Sequence, residues 1–257
     1  MFSVFKTEVI KLKNTKILWL VLIGALPANL VSLMGLLPRI SPAGTPAGVN
    51  LQDMFYRQGQ MITILGPALF ALMTGYIIAR EYQERTINQL FSYPVSRMRF
   101  LAAKLAAVLA LIAVTTILSS LTVFAVGSKL VFQQHADLQA LWLGIKMNVM
   151  ICVLSFGTIP VAAALSMVGK NIIPAAVLGV FVTVIAAIGE AGHGRLSILF
   201  PWLTPYWPVR QLAQGIAQNS GLNPYAPLAL VILGGTFLVA LIFCLVYYAR
   251  ADVHSGS

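Results

Sequence analysis

Long apolar runs, separated by short charged or Pro- and Gly-rich connections, set the pattern of this chain. The runs fall near 17–37, 61–79, 101–126, 142–168, 171–189 and 228–249. Each approaches the ~20 residues a helix needs to cross the hydrocarbon core of a bilayer, so the pattern predicts six transmembrane helices. The division between the fourth and fifth rests on Gly169-Lys170-Asn171 and Pro174, read as a tight turn with Pro in the first turn of the next helix. Ahead of the first run, Phe2, Phe5, Val9 and Leu12 recur at helical spacing, while Lys6, Lys11, Lys13 and Lys16 lie mostly elsewhere on the wheel. Residues 1–16 are therefore expected to form an amphipathic basic helix at the headgroup level of an anionic leaflet. The alternative is the start of a signal peptide, but the apolar run that follows exceeds the ~7–15 residues of such a segment, and no small-x-small cleavage site follows it. The expected fold class is an all-α membrane protein, a single transmembrane domain over residues 1–257.

Composition agrees with lipid as the surrounding solvent. Hydrophobic residues make up 59% of the chain and charged residues 9%, with a mean hydropathy of +0.87. That is too little charge to cover a water-facing surface, for which about 25% is usual. The net charge of +10 is spread between apolar runs, not gathered in one patch as nucleic acid would require. Membrane topology accounts for it. With both termini inside, eleven of the 17 Lys and Arg fall on the cytoplasmic side, concentrated around the first span and the second connection. Cys152 and Cys244 lie inside apolar runs and read as small buried hydrophobes.

The first outer connection, PRISPAGTPAGVN, reads as a flexible loop. The last, about 190–227, interleaves Trp202, Tyr206 and Trp207 with Pro201, Pro205 and Pro208. Aromatics with a polar edge favour the membrane interface, so this is either an interfacial or re-entrant segment or a plain loop.

The connection between the second and third spans stands apart. Two Glu and five Lys or Arg fall within residues 80–104. Arg80 with Glu84, and Glu81 with Arg85, stand at i,i+4 and can pair along a helix. Ile87, Leu90 and Phe91 give that helix an apolar edge, and Pro94 stops it. The expectation is a short amphipathic cytoplasmic helix near 81–92, a Pro break, and a basic ramp into the third span. Such a helix either docks a soluble partner or anchors the loop at the surface.

Glu81, Tyr82, Thr86, Leu90, Phe91, Pro94, Val95, Ser96, Arg97 and Lys104 together resemble the first cytoplasmic loop of the exporter-type permease subunits of ATP-binding-cassette transporters, the type-2 exporter family. Many relatives carry Gly before the Thr, where this chain has Arg85. The N-terminal basic helix and the six-span layout are also similar to that family, most of all to its small bacitracin- or lantibiotic-resistance permeases. The resemblance implies that the 81–92 segment is a coupling helix seated on a separate cytoplasmic ATP-binding subunit. Glu81, Tyr82, Glu84, Arg85, Thr86, Leu90, Phe91, Pro94 and Arg97 would contact it or frame the contact. It also implies a second permease copy or paralogue, a hydrophobic or amphipathic substrate, and a multi-pass chain in the cell membrane with both termini cytoplasmic.

The motifs missing from the chain point the same way. No G-x-x-x-x-G-K-[ST] loop occurs, so ATP and Mg²⁺ would be held by the partner and no cofactor is expected on this chain. There is no H-E-x-x-H or C-x-x-C. Ser155 lies in a span, yet no span carries a His to serve as its base, which argues against an intramembrane enzyme. Lys104, Lys146, Lys170 and Glu190 are placed near span ends, where they can snorkel, leaving no deep acid of the kind an ion-coupled secondary carrier keeps. On the third span Thr115, Ser119 and Thr122 form a hydroxyl stripe, serving either helix packing or a substrate path. Gly66-Pro67, Pro160 and Pro174 are positions where helices can loosen.

Overall fold

A computed structural model of the chain describes residues 2–13, 15, 17–34, 39–40, 46–47, 50–84, 96–132, 138–191, 194–216 and 223–250. Apart from one pair of two-residue strands, β1 (Arg39–Ile40) and β2 (Pro46–Ala47), the described elements are helical. Helix α1 (Phe2–Lys13) precedes α2 (Ile17–Leu33), and the two are bent by 73°. The face α1 turns to the bundle carries Glu8 and Leu12, with Val4 and Phe5 packed beside them. Val9, expected on that face, is exposed with Ile10. Exposed apolar residues on a basic helix suit a lipid surface.

Helix α3 (Leu51–Gln83) runs 33 residues, about 50 Å, against an apolar core of ~30 Å. It begins where Asn50 Oδ1 accepts hydrogen bonds from the amides of Gln52 and Asp53, a side-chain cap for otherwise unpaired donors. Pro67, inside the helix, leaves a gap in the backbone ladder. The neighbouring Ala68 amide donates to Thr183 Oγ1 at 3.1 Å, so no donor is stranded in the apolar interior. The third span, expected as one run over 101–126, is divided into α4 (Arg97–Ser119) and α5 (Leu121–Phe132). The break falls at Ser120, whose hydroxyl bonds back to Thr116 and Ile117 carbonyls. The fourth consists of α6 (Leu138–Phe156) and α7 (Ile159–Gly169), interrupted at Gly157-Thr158 with Pro160 just beyond. Lys170 then adopts the left-handed region at φ 48°, and Pro174 occupies the first turn of α8 (Ile173–Ala191), as the turn chemistry predicts. A 3₁₀ turn (Arg195–Leu199), α9 (Tyr206–Ile216) and α10 (Ala226–Arg250) complete the described elements.

Among the described residues five helical segments are long and apolar enough to cross a membrane, and α1 with α2 makes a sixth if that bent pair counts as one. The sequence predicts six outright; α2, at 17 residues, is the short one. Bonds between helix ends sort the bundle into two faces. Lys11 meets Glu81 and Lys104 meets Glu81, Gln83 meets Asn171, and Arg97 meets the Ala249 carbonyl, so α1 and the last turn of α10 lie at one end of the bundle. At the other end Arg210 holds Glu190, and α9 folds back onto α3 and α6, burying Tyr206, Val209 and Leu212. The 190–227 connection is thus a packed amphipathic element over its described residues.

α3 is the axis of the bundle and touches α2, α4, α6, α7, α8 and α9. Its Met54, Phe55, Ile62, Met73 and Ile78 are buried against Leu101, Val108 and Ile112 of α4, Ile151 of α6 and Met167 of α7. By contrast, α2, α8 and α10 present Trp19, Ile23, Leu30, Val177, Phe181, Ile188, Val231, Val239 and Ile242 outward. These apolar faces suit lipid, where close contact through small residues replaces water exclusion as the force between helices. Gly179 of α8 allows one such approach: a Cβ there would stand 2.9 Å from the Ala68 Cα and 3.1 Å from the Pro67 carbonyl oxygen. Because both neighbours are backbone, Gly179→Ala is expected to lower stability by about 1–3 kcal/mol. Gly235→Ala, with open space around it, should leave the thermal melting of the detergent-solubilised chain unchanged.

Candidate functional site

Four charges meet at the end of the bundle that carries α1. Lys104 Nζ lies 2.9 Å from Glu81 Oε1 and 3.5 Å from Glu8 Oε2, and it also donates to the Ile77 carbonyl at 3.2 Å. Lys11 Nζ lies 3.2 Å from Glu8 Oε1 and 3.3 Å from Glu81 Oε1. The side chains of Glu8, Glu81 and Lys104 are at most 7% exposed, while Lys11 forms the rim at 37%. Two carboxylates and two ammoniums balance to zero, which lets the group be buried where an unpaired charge would not be tolerated. Burial draws the Lys11 pKa down, but Glu8 and Glu81 together outweigh it and hold the ammonium above its usual range. Three elements are joined by this group: α1 through Glu8 and Lys11, α3 through Glu81, and α4 through Lys104. Arg80 extends it, donating to the Lys11 carbonyl at 3.4 Å and to Glu84 Oε1 at 2.7 Å.

Several sequence-predicted residues fall here with a different role. The Arg80–Glu84 pair forms as the spacing predicts. Glu81 does not sit on a separate loop helix; with Tyr82 it belongs to the last turn of α3, and Glu84 is its C-cap. Glu81 faces inward to Lys11 and Lys104; its expected pairing with Arg85 involves a residue outside the described ones. Arg85, Thr86, Leu90, Phe91 and Pro94 lie outside the described residues. Arg97 opens α4 and donates to the Ala249 carbonyl at 3.2 Å, and Gln83 Nε2 donates to Asn171 Oδ1 at 2.8 Å. Both flanks of the 85–95 connection are therefore fastened: the α3 side to α1 and the α7–α8 turn, the α4 side to α1 and α10. Lys104 and Glu190 do not snorkel as expected. Each is buried against an opposite charge, Lys104 as above and Glu190 at 2.7 Å from Arg210.

The hydroxyl stripe is a helix seam. Thr115 and Ser119 on α4 are buried, with hydroxyls donating to the Leu111 and Thr116 carbonyls. Ser119 also accepts from Gln58 Nε2 at 3.2 Å, and Gln58 reaches Asn148 Oδ1 at 3.0 Å, joining α3, α4 and α6 through buried amides. Thr122, on α5, donates to Asn29 Oδ1 at 2.7 Å, while Asn29 Nδ2 donates to the Ala25 and Leu118 carbonyls. Sequence reasoning passed over Asn29, Gln58 and Asn148. For Asn29 and Asn148 the signal was present, since an amide inside an apolar run demands a partner in lipid; Gln58 precedes the 61–79 run and gave none. Glu8 was passed over because the basic residues around it dominate the wheel.

Comparison with known proteins places the sequence in a family. Residues 4–186 match the model described as ABC-2 family transporter protein, a stretch that contains all four charges of the cluster. The chain is also similar to the bacitracin transport permease protein BCRB of Bacillus licheniformis, with 25% identity over 197 residues, covering 76% of this chain and 88% of that protein.

Removing one member of the cluster leaves a buried excess charge. Lys104→Met is expected to destabilise the chain by about 3–5 kcal/mol. Adding Glu81→Leu should restore most of the loss, since Glu8 and Lys11 can still pair. Thermal melts of the single and double variants in detergent check the coupling; additive losses would show that the charges do not act together.

Proposed function

The chain belongs to the ABC-2 family of transporters, and from that premise we propose that it is the permease subunit of an ATP-driven exporter of a hydrophobic or amphipathic substrate, a peptide antibiotic among the candidates. A separate cytoplasmic subunit binds ATP and Mg²⁺ and docks at the connection between α3 and α4. A second permease copy or a paralogue completes the path, and both termini face the cytoplasm.

One observation carries this reading. The two helix ends that flank the 85–95 connection, together with α1, share a buried set of charges. A push delivered to the connection therefore reaches α1, α3 and α4 as one body. A loop that merely anchored the surface would have no use for a buried, charge-matched joint behind it, because a surface ion pair contributes at most ~1 kcal/mol. Similarity to a bacitracin transport permease protein supports an amphipathic molecule as the cargo. The broken spans α4–α5 and α6–α7, and the gap at Pro67, give the bundle places where helices can shift without losing buried bonds.

Glu84 suits a test better than the buried Glu81, since its side chain is 49% exposed and it pairs with Arg80 at the rim and with none of the four clustered charges. Glu84→Lys, co-expressed with the ATPase, is expected to cut co-purification and ATP-driven transport by about tenfold, a change of ~1.4 kcal/mol in coupling. The amount of chain in the membrane and its melting temperature should stay the same. Wild-type transport in this variant, or transport by the isolated chain under an ion gradient alone, would defeat the coupling role.

A further inference from the structure

At the end of the bundle opposite α1, the start of α3, the middle of α6 and α9 enclose a cleft. Gln52, Lys146, Met147, Met150, Gln211 and Leu212 are among its lining residues. Its floor is apolar, and its polar groups are two amides and one ammonium. Lys146 is the unusual member. It is exposed on the outward face of α6, in line with Trp142, Val149 and Val153, a stripe that otherwise suits acyl chains. The acids described at this end are engaged elsewhere: Asp53 with Arg57 at 2.9 Å and Glu190 with Arg210 at 2.7 Å. Among the described residues Lys146 has no carboxylate partner.

Depth narrows the choice of ligand. Trp142 lies one turn nearer the α6 start than Lys146, and exposed Trp on a spanning helix marks the membrane–water interface. Lys146 stands about 6 Å deeper, four residues at 1.5 Å each. A cation at that depth, beside amide donors and an apolar slot, matches an anionic headgroup whose chains run down the cleft. A soluble anion would have no use for the slot, and a zwitterionic headgroup would set a second ammonium against the lysine. We propose that the cleft between α3, α6 and α9 is a binding site for one anionic phospholipid, with Lys146 on the phosphate, Gln52 and Gln211 as donors at its rim, and Met147 and Met150 against the acyl chains.

The test uses the full chain in nanodiscs of equimolar phosphatidylcholine and phosphatidylglycerol, gently transferred to detergent, with retained lipid counted by native mass spectrometry. Wild type is expected to retain phosphatidylglycerol preferentially. Lys146→Gln should cut that retention about fivefold, the equivalent of ~1 kcal/mol for one lysine at a lipid phosphate. Met150→Glu, which sets a carboxylate one turn from Lys146, should do the same. Lys129→Gln, an exposed basic residue toward the same end, should leave retention unchanged. Inorganic phosphate should not displace the lipid. Equal retention in Lys146→Gln, an equal loss in Lys129→Gln, or displacement by inorganic phosphate would each overturn the proposal. Unchanged melting of Lys146→Gln separates loss of lipid from loss of fold.

Discussion

Two carboxylates and two ammoniums buried together form the joint on which the cytoplasmic half of the proposed mechanism depends. Each charge alone would be costly in an apolar interior, and the group is tolerable only because it is complete. That all-or-none character makes it mechanically useful. Glu8, Glu81 and Lys104 come from three separate helices, so separating any one of those helices exposes a charge to a medium that cannot solvate it. The helices are thereby held to moving together, which loose apolar packing in lipid would not ensure, since lipid tails compete with side chains for apolar contact.

The fold was legible in the sequence because lipid imposes length. Apolar runs of spanning length, the Gly-Lys-Asn turn before Pro174 and the aromatic connection near 202–207 all correspond to helices or turns in the structure. Internal breaks were harder to read. Ser120 and Gly157-Thr158 interrupt runs whose mean hydropathy does not change, because a helix break in lipid costs only local bonds that hydroxyls can replace.

The candidate site was legible in its residues but not in its geometry. The charge density over 80–104 marked the correct segment, and the Arg80–Glu84 spacing paired as expected. What periodicity could not reveal was the direction in which Glu81 and Lys104 face. Their partners on α1, Lys11 for Glu81 and Glu8 for Lys104, lie 70 or more positions away in a helix whose basic composition advertised a lipid surface. A buried charge is legible only when its opposite is known to be near, and long-range pairing is what a single sequence withholds. The amides of Asn29 and Asn148 follow the same logic one level down: each announced a need for a partner without naming it.

Pro67 gives the central helix a property that neither its length nor its packing would confer. The proline opens a gap partway along α3, and the amide it displaces is taken by Thr183 on α8. α3 runs on as one helix through this point, but its backbone there is tied to another helix as well as to itself. Gly179 of α8 is pressed against the same few backbone atoms. A helix that turns Val177, Phe181 and Ile188 outward, where acyl chains can press on it, is thus also the one that touches the central helix at its proline.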